Sequence, residues 1–226
     1  MPDRFGLPEA PSVFVGDPLP VEGVSWCEAV RFANLRTLVE MEGVIPTYTV
    51  ATTGAGDSPY ALGGCEEGAE IRWDRDSTAW RLPTEAEWEV AARGGDVSGR
   101  WWTGDQEQAQ LAAEWLAPNA DWRTHAPCTA PGASAHPLGL CDMLGNVQEW
   151  TWDLYLETPP GGLDPTVSSV PSGTASWRVV RGGSWYYAPA VARAAHRLRD
   201  DPGWRSDNQG FRLVRSVGPP PSGSGP

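Results

Sequence analysis

Residues Asp142–Trp150 read DMLGNVQEW. This stretch places two carboxylates, Asp142 and Glu149, within eight residues, with a glycine between them and a tryptophan at the end. Three other segments share its mixture of glycine, tryptophan and charge. Upstream lie PVEGVSW (Pro20–Trp26) and RLPTEAEWE (Arg81–Glu89), the latter running on to Arg93-Gly94-Gly95. Downstream lies RGGSW (Arg181–Trp185), followed later by Gly210-Phe211-Arg212. Gly182 and Gly183 allow positive φ or close backbone approach before Trp185. Trp26, Trp88, Trp150 and Trp185 read as core packing, whereas Trp204 reads as exposed.

The local pattern around these segments predicts two helices. Ser25-x-x-Glu28 is a capping box, in which the serine oxygen takes an orphan amide and the glutamate reaches back. Ala29, Val30, Ala33, Leu35, Leu38 and Val39 then recur on one face, up to Gly43. Thr84-x-x-Glu87 is a second capping box. Trp88, Val90, Ala91 and Ala92 follow it, and Gly94-Gly95 stops the helix. Short strands are predicted at 47–50, 71–73, 177–180 and 211–214, from their β-branched and aromatic residues. Two helices with scattered short strands do not fit a doubly wound sheet, a bundle or a repeat array. They predict an α+β domain over 20–216, an irregular segment over 1–19 and a flexible tail over 217–226.

Composition narrows the function. The 226 residues suit one generous domain. Seventeen Arg and no Lys rule out Schiff-base lysine chemistry and a P-loop. A net charge of −12 argues against nucleic acid. No apolar run approaches the roughly 20 residues of a membrane span. Gly 26 and Pro 22 make the chain loop-rich. The start, MPDRFGLPEAP, shows no basic segment followed by an apolar core, so no signal peptide is read and the expected location is cytoplasmic. Cys27, Cys65, Cys128 and Cys141 are then expected as free thiols, with a Cys128–Cys141 pair open only to an exported chain. His125, His136 and His196 sit in no metal spacing. From Arg178 to Arg215 there are 8 Arg against 3 Asp. That basic segment either pairs with the acidic body or docks an anionic ligand.

In their order and spacing, the four segments closely resemble the formylglycine-generating-enzyme-like family, also called the sulfatase-modifying-factor domain, over about residues 20–216. The resemblance implies a C-type-lectin-like α+β fold with two main helices, short strands and long loops. It also implies a calcium site whose ligands correspond to Asp142, Gly145, Val147 and Glu149, hard oxygen donors of the kind Ca²⁺ prefers. The alternative is a tight turn in which Asp142 and Glu149 bond backbone amides. A second family calcium site would begin near Asn119 and Ala120, but its acidic ligand has no match here.

One departure decides the expected chemistry. Sulfatase-activating members carry two cysteines after the Gly-Gly-Ser-aromatic motif, and together these bind Cu(I), which requires soft thiolates. Those positions hold Tyr187 and Ala192 here. No copper and no oxidation of a sulfatase cysteine are therefore expected. Members that form sulfoxides draw three iron-binding histidines largely from an added helical domain, and no such site is expected here. Relatives also have several tens of residues before the PVEGVSW position. With about 20 here, a partner is expected to cover that side.

The expected function is a non-catalytic domain that binds a protein or small ligand. Its surface would be Tyr186, Tyr187, Ala188, Val191, Arg193, His196, Arg197, Leu198, Asp200, Asp201, Trp204, Ser206 and Asp207. Mixed Tyr, Trp, Arg and Asp is the composition of recognition patches. The same stretch is similar to the diversified region of bacterial retroelement-varied proteins of this fold. Two readings stay beside it. One is an enzyme of the wider family with a non-cysteine site near Trp185, Tyr187, Arg193 and Arg197. The other is a regulatory or structural module of a larger assembly.

Overall fold

The computed structural model describes residues 11–50, 65, 70–95, 98–169 and 176–216. Along the chain run α1 (Trp26–Glu40), β1 (Tyr48–Val50), β2 (Ile71–Trp73), β3 (Trp80–Arg81), α2 (Glu85–Arg93), α3 (Glu107–Ala113), β4 (Gln148–Leu154), β5 (Arg178–Arg181), β6 (Leu198–Asp200), β7 (Gln209–Phe211) and β8 (Val214–Arg215). The tail expected over 217–226 lies outside the described residues.

Both predicted helices form. At α2 the capping box closes as read: Glu87 N–H donates to Thr84 Oγ1 (3.1 Å), and Thr84 N–H donates to Glu87 Oε2 (2.8 Å). Gly94 ends the helix at φ 61°, a conformation that favours glycine. α1 begins directly after Ser25, and its apolar face is narrower than predicted. Ala29, Val30 and Ala33 are buried, but Val39 is 74% exposed. Asn34 and Thr37 take the inner positions because they serve the backbone. Asn34 Nδ2 donates to Tyr48 O (2.7 Å), and Trp80 N–H donates to Thr37 Oγ1 (3.0 Å).

The chain divides into two compact units. The first comprises the described residues of Cys27–Leu82 and those from Leu213 onward. It holds two antiparallel pairs, β1 with β2 and β3 with β8. The buried Tyr48 hydroxyl accepts from Leu82 N–H (2.9 Å). Cys27 and Cys65 form a disulfide with Cα atoms 5.8 Å apart.

The second unit comprises Ala10–Trp26 and Pro83–Arg212. Its four-stranded sheet has the order β6-β5-β4-β7, with β4 antiparallel to β5 and parallel to β7. Every residue of β4 is buried. That explains why the sequence does not announce it: a strand covered on both faces loses the alternation that marks a strand. Its polar side chains are bonded instead, as at Thr151 Oγ1 to Val179 O (3.1 Å). Trp88, Ala92, Trp101, Met143, Leu144 and Ala194 form one core cluster. Trp26 and Trp150 are buried as expected, their indole N–H groups donating to Thr151 O and Val24 O. Gly183, at φ 69°, packs so tightly that an added Cβ would lie 2.9 Å from Ala192 Cβ.

One expectation is corrected, and one of two open readings is decided. The cysteines are not free thiols: Cys128 and Cys141 also form a disulfide, with Cα atoms 5.2 Å apart. Of the C-terminal arginines, Arg178, Arg181, Arg197 and Arg212 are turned inward, while Arg199, Arg205 and Arg215 stay exposed. Arg178 lies 3.6 Å over the Trp26 ring. Arg181 is fully buried and pairs with Glu89 and Glu85. Arg197 pairs with Glu85, Arg199 with Glu157 and Arg212 with Glu149.

Candidate functional site

The loop after β5 carries an exposed aromatic patch. Gly182 and Gly183 turn the chain so that Trp185 goes in and Tyr186 goes out. Trp185 N–H donates to Asn146 O (2.8 Å), and its ring meets Phe14 edge-on at 5.5 Å. Tyr186 is 55% exposed and packs edge-on against Trp185 (5.8 Å), Tyr187 (5.5 Å) and Trp122 (6.0 Å). Trp122 is 62% exposed. It sits on a turn in which Asp121 and Trp122 both have positive φ, 50° and 56°. Holding two non-glycine residues there costs energy, and such strain concentrates at functional sites.

Tyr187 is half-buried, and its carbonyl accepts from Ala117 N–H (3.0 Å). Burial raises its phenol pKa, helped by the nearby Asp200 carboxylate, while an Asn208 hydrogen bond opposes the shift. Asn208 Nδ2 donates to Ser184 Oγ (3.1 Å), and Ser206 Oγ donates to Asn208 Oδ1 (2.6 Å). Trp122, Tyr186, Tyr187, Asp200 and Ser206 thus form a connected patch, with the buried Asn208 bridging Ser206 and Ser184 beneath it.

The other expected ligand-binding residues are dispersed. Ala188, Asp201 and Trp204 are exposed, and Val191, Leu198 and Asp207 are half-buried. Arg193 Nε turns back onto Ala190 O (2.7 Å). The His196 carbonyl accepts from Arg181 (2.6 Å), and its ring pKa is lowered by burial and then by Arg193 and Arg181. Arg197 clamps Glu85 through two hydrogen bonds (2.5 and 2.8 Å) and donates to Leu156 O. It belongs to the packing around α2. Trp122 was missed by sequence reading. Its one signal is a tryptophan set between Asp121 and Arg123, outside any apolar periodicity.

The calcium ligands can be tested for fit. Both Glu149 oxygens are already taken. Oε2 accepts from Trp88 Nε1 and Arg212 Nε (2.6 Å each), and Oε1 accepts from Arg212 NH2 (2.6 Å). The same guanidinium donates to Asp142 O (3.2 Å) and Cys141 O (3.3 Å). Arg212 therefore supplies the positive charge that a cation at Glu149 would supply, and the set implied by the resemblance does not fit calcium at that end. Asp142 behaves as in the alternative reading, with Oδ2 accepting from Cys128 N–H (2.9 Å). Asn119, at the second family position, spends its side-chain oxygen on Leu116 N–H (2.8 Å). Melting with and without EDTA is expected to coincide within about 1 °C. A larger fall under EDTA would overturn the assignment of charge balance to Arg212.

A cavity of about 270 Å³ lies beside α2, lined by Glu85, Glu89, Arg93, Asp153 and Pro159. Its acids are occupied. Asp153 accepts from Glu85 N–H and Val167 N–H (2.6 Å each), Glu85 is held by Arg197, and Glu89 is held by Arg93 and Arg181.

Comparison with known proteins gives a consistent answer. The sulfatase-modifying factor enzyme 1-like domain profile matches residues 9–217. The chaperone protein LppX of Paenibacillus barcinonensis is 29% identical, over 91% of this chain and 73% of that protein. The serine/threonine-protein kinase pkn1 of Chlamydia pneumoniae is 36% identical over 61% of this chain, which spans only 21% of the kinase. Hercynine oxygenase of Mycolicibacterium smegmatis is 38% identical over 62% of this chain and 34% of the enzyme. Among solved structures, Treponema denticola variable protein 1 superposes with a TM-score of 0.77 and 31% identity, covering 94% of this chain and 78% of that one.

Proposed function

The chain belongs to the sulfatase-modifying factor enzyme 1-like domain family, and from that premise we propose that it is a non-catalytic binding domain whose ligand docks on the Trp122–Tyr186–Tyr187 surface. The observation that carries this reading is the exposed, edge-packed Trp122–Tyr186 pair, with Trp122 held on a strained turn. Large aromatic side chains with few rotatable bonds are efficient anchors at interfaces. The likeness to a variable protein over most of both chains supports the same reading. The positions that carry the copper-binding cysteines of sulfatase-activating relatives hold Tyr187 and Ala192, which supports loss of that chemistry. The kinase, of which this chain spans a fifth, supports a module that also works inside larger proteins. Two disulfides favour an oxidising compartment over the cytoplasm as the working location.

Selection of a phage-displayed random peptide library against the purified protein tests the surface. Enriched peptides are expected to lose about tenfold or more in affinity on the Trp122→Ala/Tyr186→Ala double variant. Both residues are exposed, so its melting temperature should stay within a few degrees of the parent. Enriched peptides that ignore both substitutions would remove this surface from the function.

A further inference from the structure

The basic composition of the C-terminal segment leaves two readings open, internal pairing or an anionic partner, and the ion pairs favour the first. Arg181, Arg197 and Arg212 are paired with buried or half-buried glutamates, and Arg199 pairs with Glu157 at the surface. Arg193 and Arg205 turn back onto the carbonyls of Ala190 and Gly203. Around Tyr186 and Tyr187 the surface presents aromatic rings with carboxylates beside them, and Arg123 is the exposed guanidinium next to Trp122.

We propose that the Trp122–Tyr186–Tyr187 platform, with Asp200 at its side, receives an arginine or lysine side chain of a protein partner. This rests on the binding reading above and adds the chemistry of the ligand. Aromatic faces attract cations through their quadrupole, and guanidinium groups stack on them readily. A neighbouring carboxylate adds a direct charge partner. Trp122 and Tyr186 supply the exposed rings, and Asp121 precedes Trp122 on the same turn. The local charges agree. After burial, Asp201 is the charge that most disfavours ionised Asp200, and Asp200 is the charge that most disfavours ionised Tyr187. Nearby, Glu22 is held up first by burial, with Asp207 adding to it. Asp200 and Asp201 thus disfavour each other's charge beside Tyr187, which a positive side chain would relieve, while the exposed Arg123 next to Trp122 acts against it. The chain's net charge of −12 would also draw a basic partner from a distance.

A charge-only comparison tests this directly. A fluorescein-labelled tetra-arginine peptide and its tetra-citrulline counterpart have nearly the same shape and differ in charge. Fluorescence anisotropy in 50 mM salt is expected to show the arginine peptide bound about tenfold or more tightly, with the difference shrinking in 500 mM salt. Trp122→Ala/Tyr186→Ala should remove the preference, and Asp200→Asn should reduce it several-fold. Arg123→Gln removes an exposed like charge beside Trp122 and should tighten arginine binding. Equal binding of the two peptides, still abolished by the double aromatic variant, would overturn the cationic partner and leave the binding surface standing. Arginine binding that ignores the double variant would overturn the cationic partner as well, and peptide-library hits that also ignore it would take the surface with it.

Discussion

Replacing Arg212 by methionine is expected to lower the unfolding free energy by about 3–5 kcal/mol, the usual consequence of stranding one member of a buried ion pair. Glu149 sits on the central strand β4 and is buried. Arg212 covers both of its oxygens and also ties down the carbonyls of Cys141 and Asp142. Methionine keeps much of the arginine's apolar bulk, so the loss would come from charge and hydrogen bonding more than from a cavity. Without the guanidinium, the carboxylate keeps Trp88 Nε1 as its indole donor, and two carbonyls lose a donor. Urea unfolding measures the effect. The double variant Arg212→Met/Glu149→Gln should regain part of it, because the uncompensated charge is gone. A single-variant loss under about 1 kcal/mol, or no recovery in the double variant, would show that the pair does not govern this part of the core.

Local chemistry was legible in the sequence, and long-range chemistry was not. The Thr84 capping box and the Gly94 stop depend on residues within a turn of each other, and both appear where the letters put them. β4 was hidden because burial on both faces erased its period, and because Gln148, Glu149 and Asp153 look like loop residues until their partners are known. Those partners lie far along the chain: Gln209 for Gln148, Arg212 for Glu149, Glu85 N–H for Asp153. The same distance hid the Cys27–Cys65 disulfide, whose halves are 38 residues apart. At the candidate surface, Tyr186 and Tyr187 were found from their place after the Gly-Gly-Ser-Trp motif. Trp122 was not, since it reaches Tyr186 from a loop some sixty residues earlier. Arg197 was placed on the surface by its neighbours in sequence and removed from it by Glu85.

Glu114→Gln is expected to stabilise the protein at alkaline pH, by roughly 2–4 kcal/mol near pH 9, and to change little below pH 5. Glu114 is 1% exposed. Its Oε1 accepts from Trp102 Nε1 (2.9 Å), and its Oε2 has no close donor. Burial pushes its pKa up to about 8, with the Asp142 carboxylate adding to the shift and Trp102, Arg212 and the Leu144 amide opposing it. The folded chain therefore holds a proton on Glu114 that the unfolded chain gives up near pH 4.5. The stability tied to that proton is fully present below pH 4.5 and is lost as pH rises towards 8. Above that range the folded protein carries a buried, ill-compensated carboxylate, whereas glutamine carries no charge to desolvate. The difference between the variant and parental stability curves isolates this group from Asp142 and Asp153, which are also raised by burial, and from His136, which acts in the opposite sense below pH 6.5. Chemical unfolding at pH 5, 7 and 9 is the measurement. A difference that stays flat across that range would mean Glu114 is ionised and paired in the folded state. A glutamine variant weaker at every pH would mean that the carboxylate itself is required for the packing of the Trp102 indole.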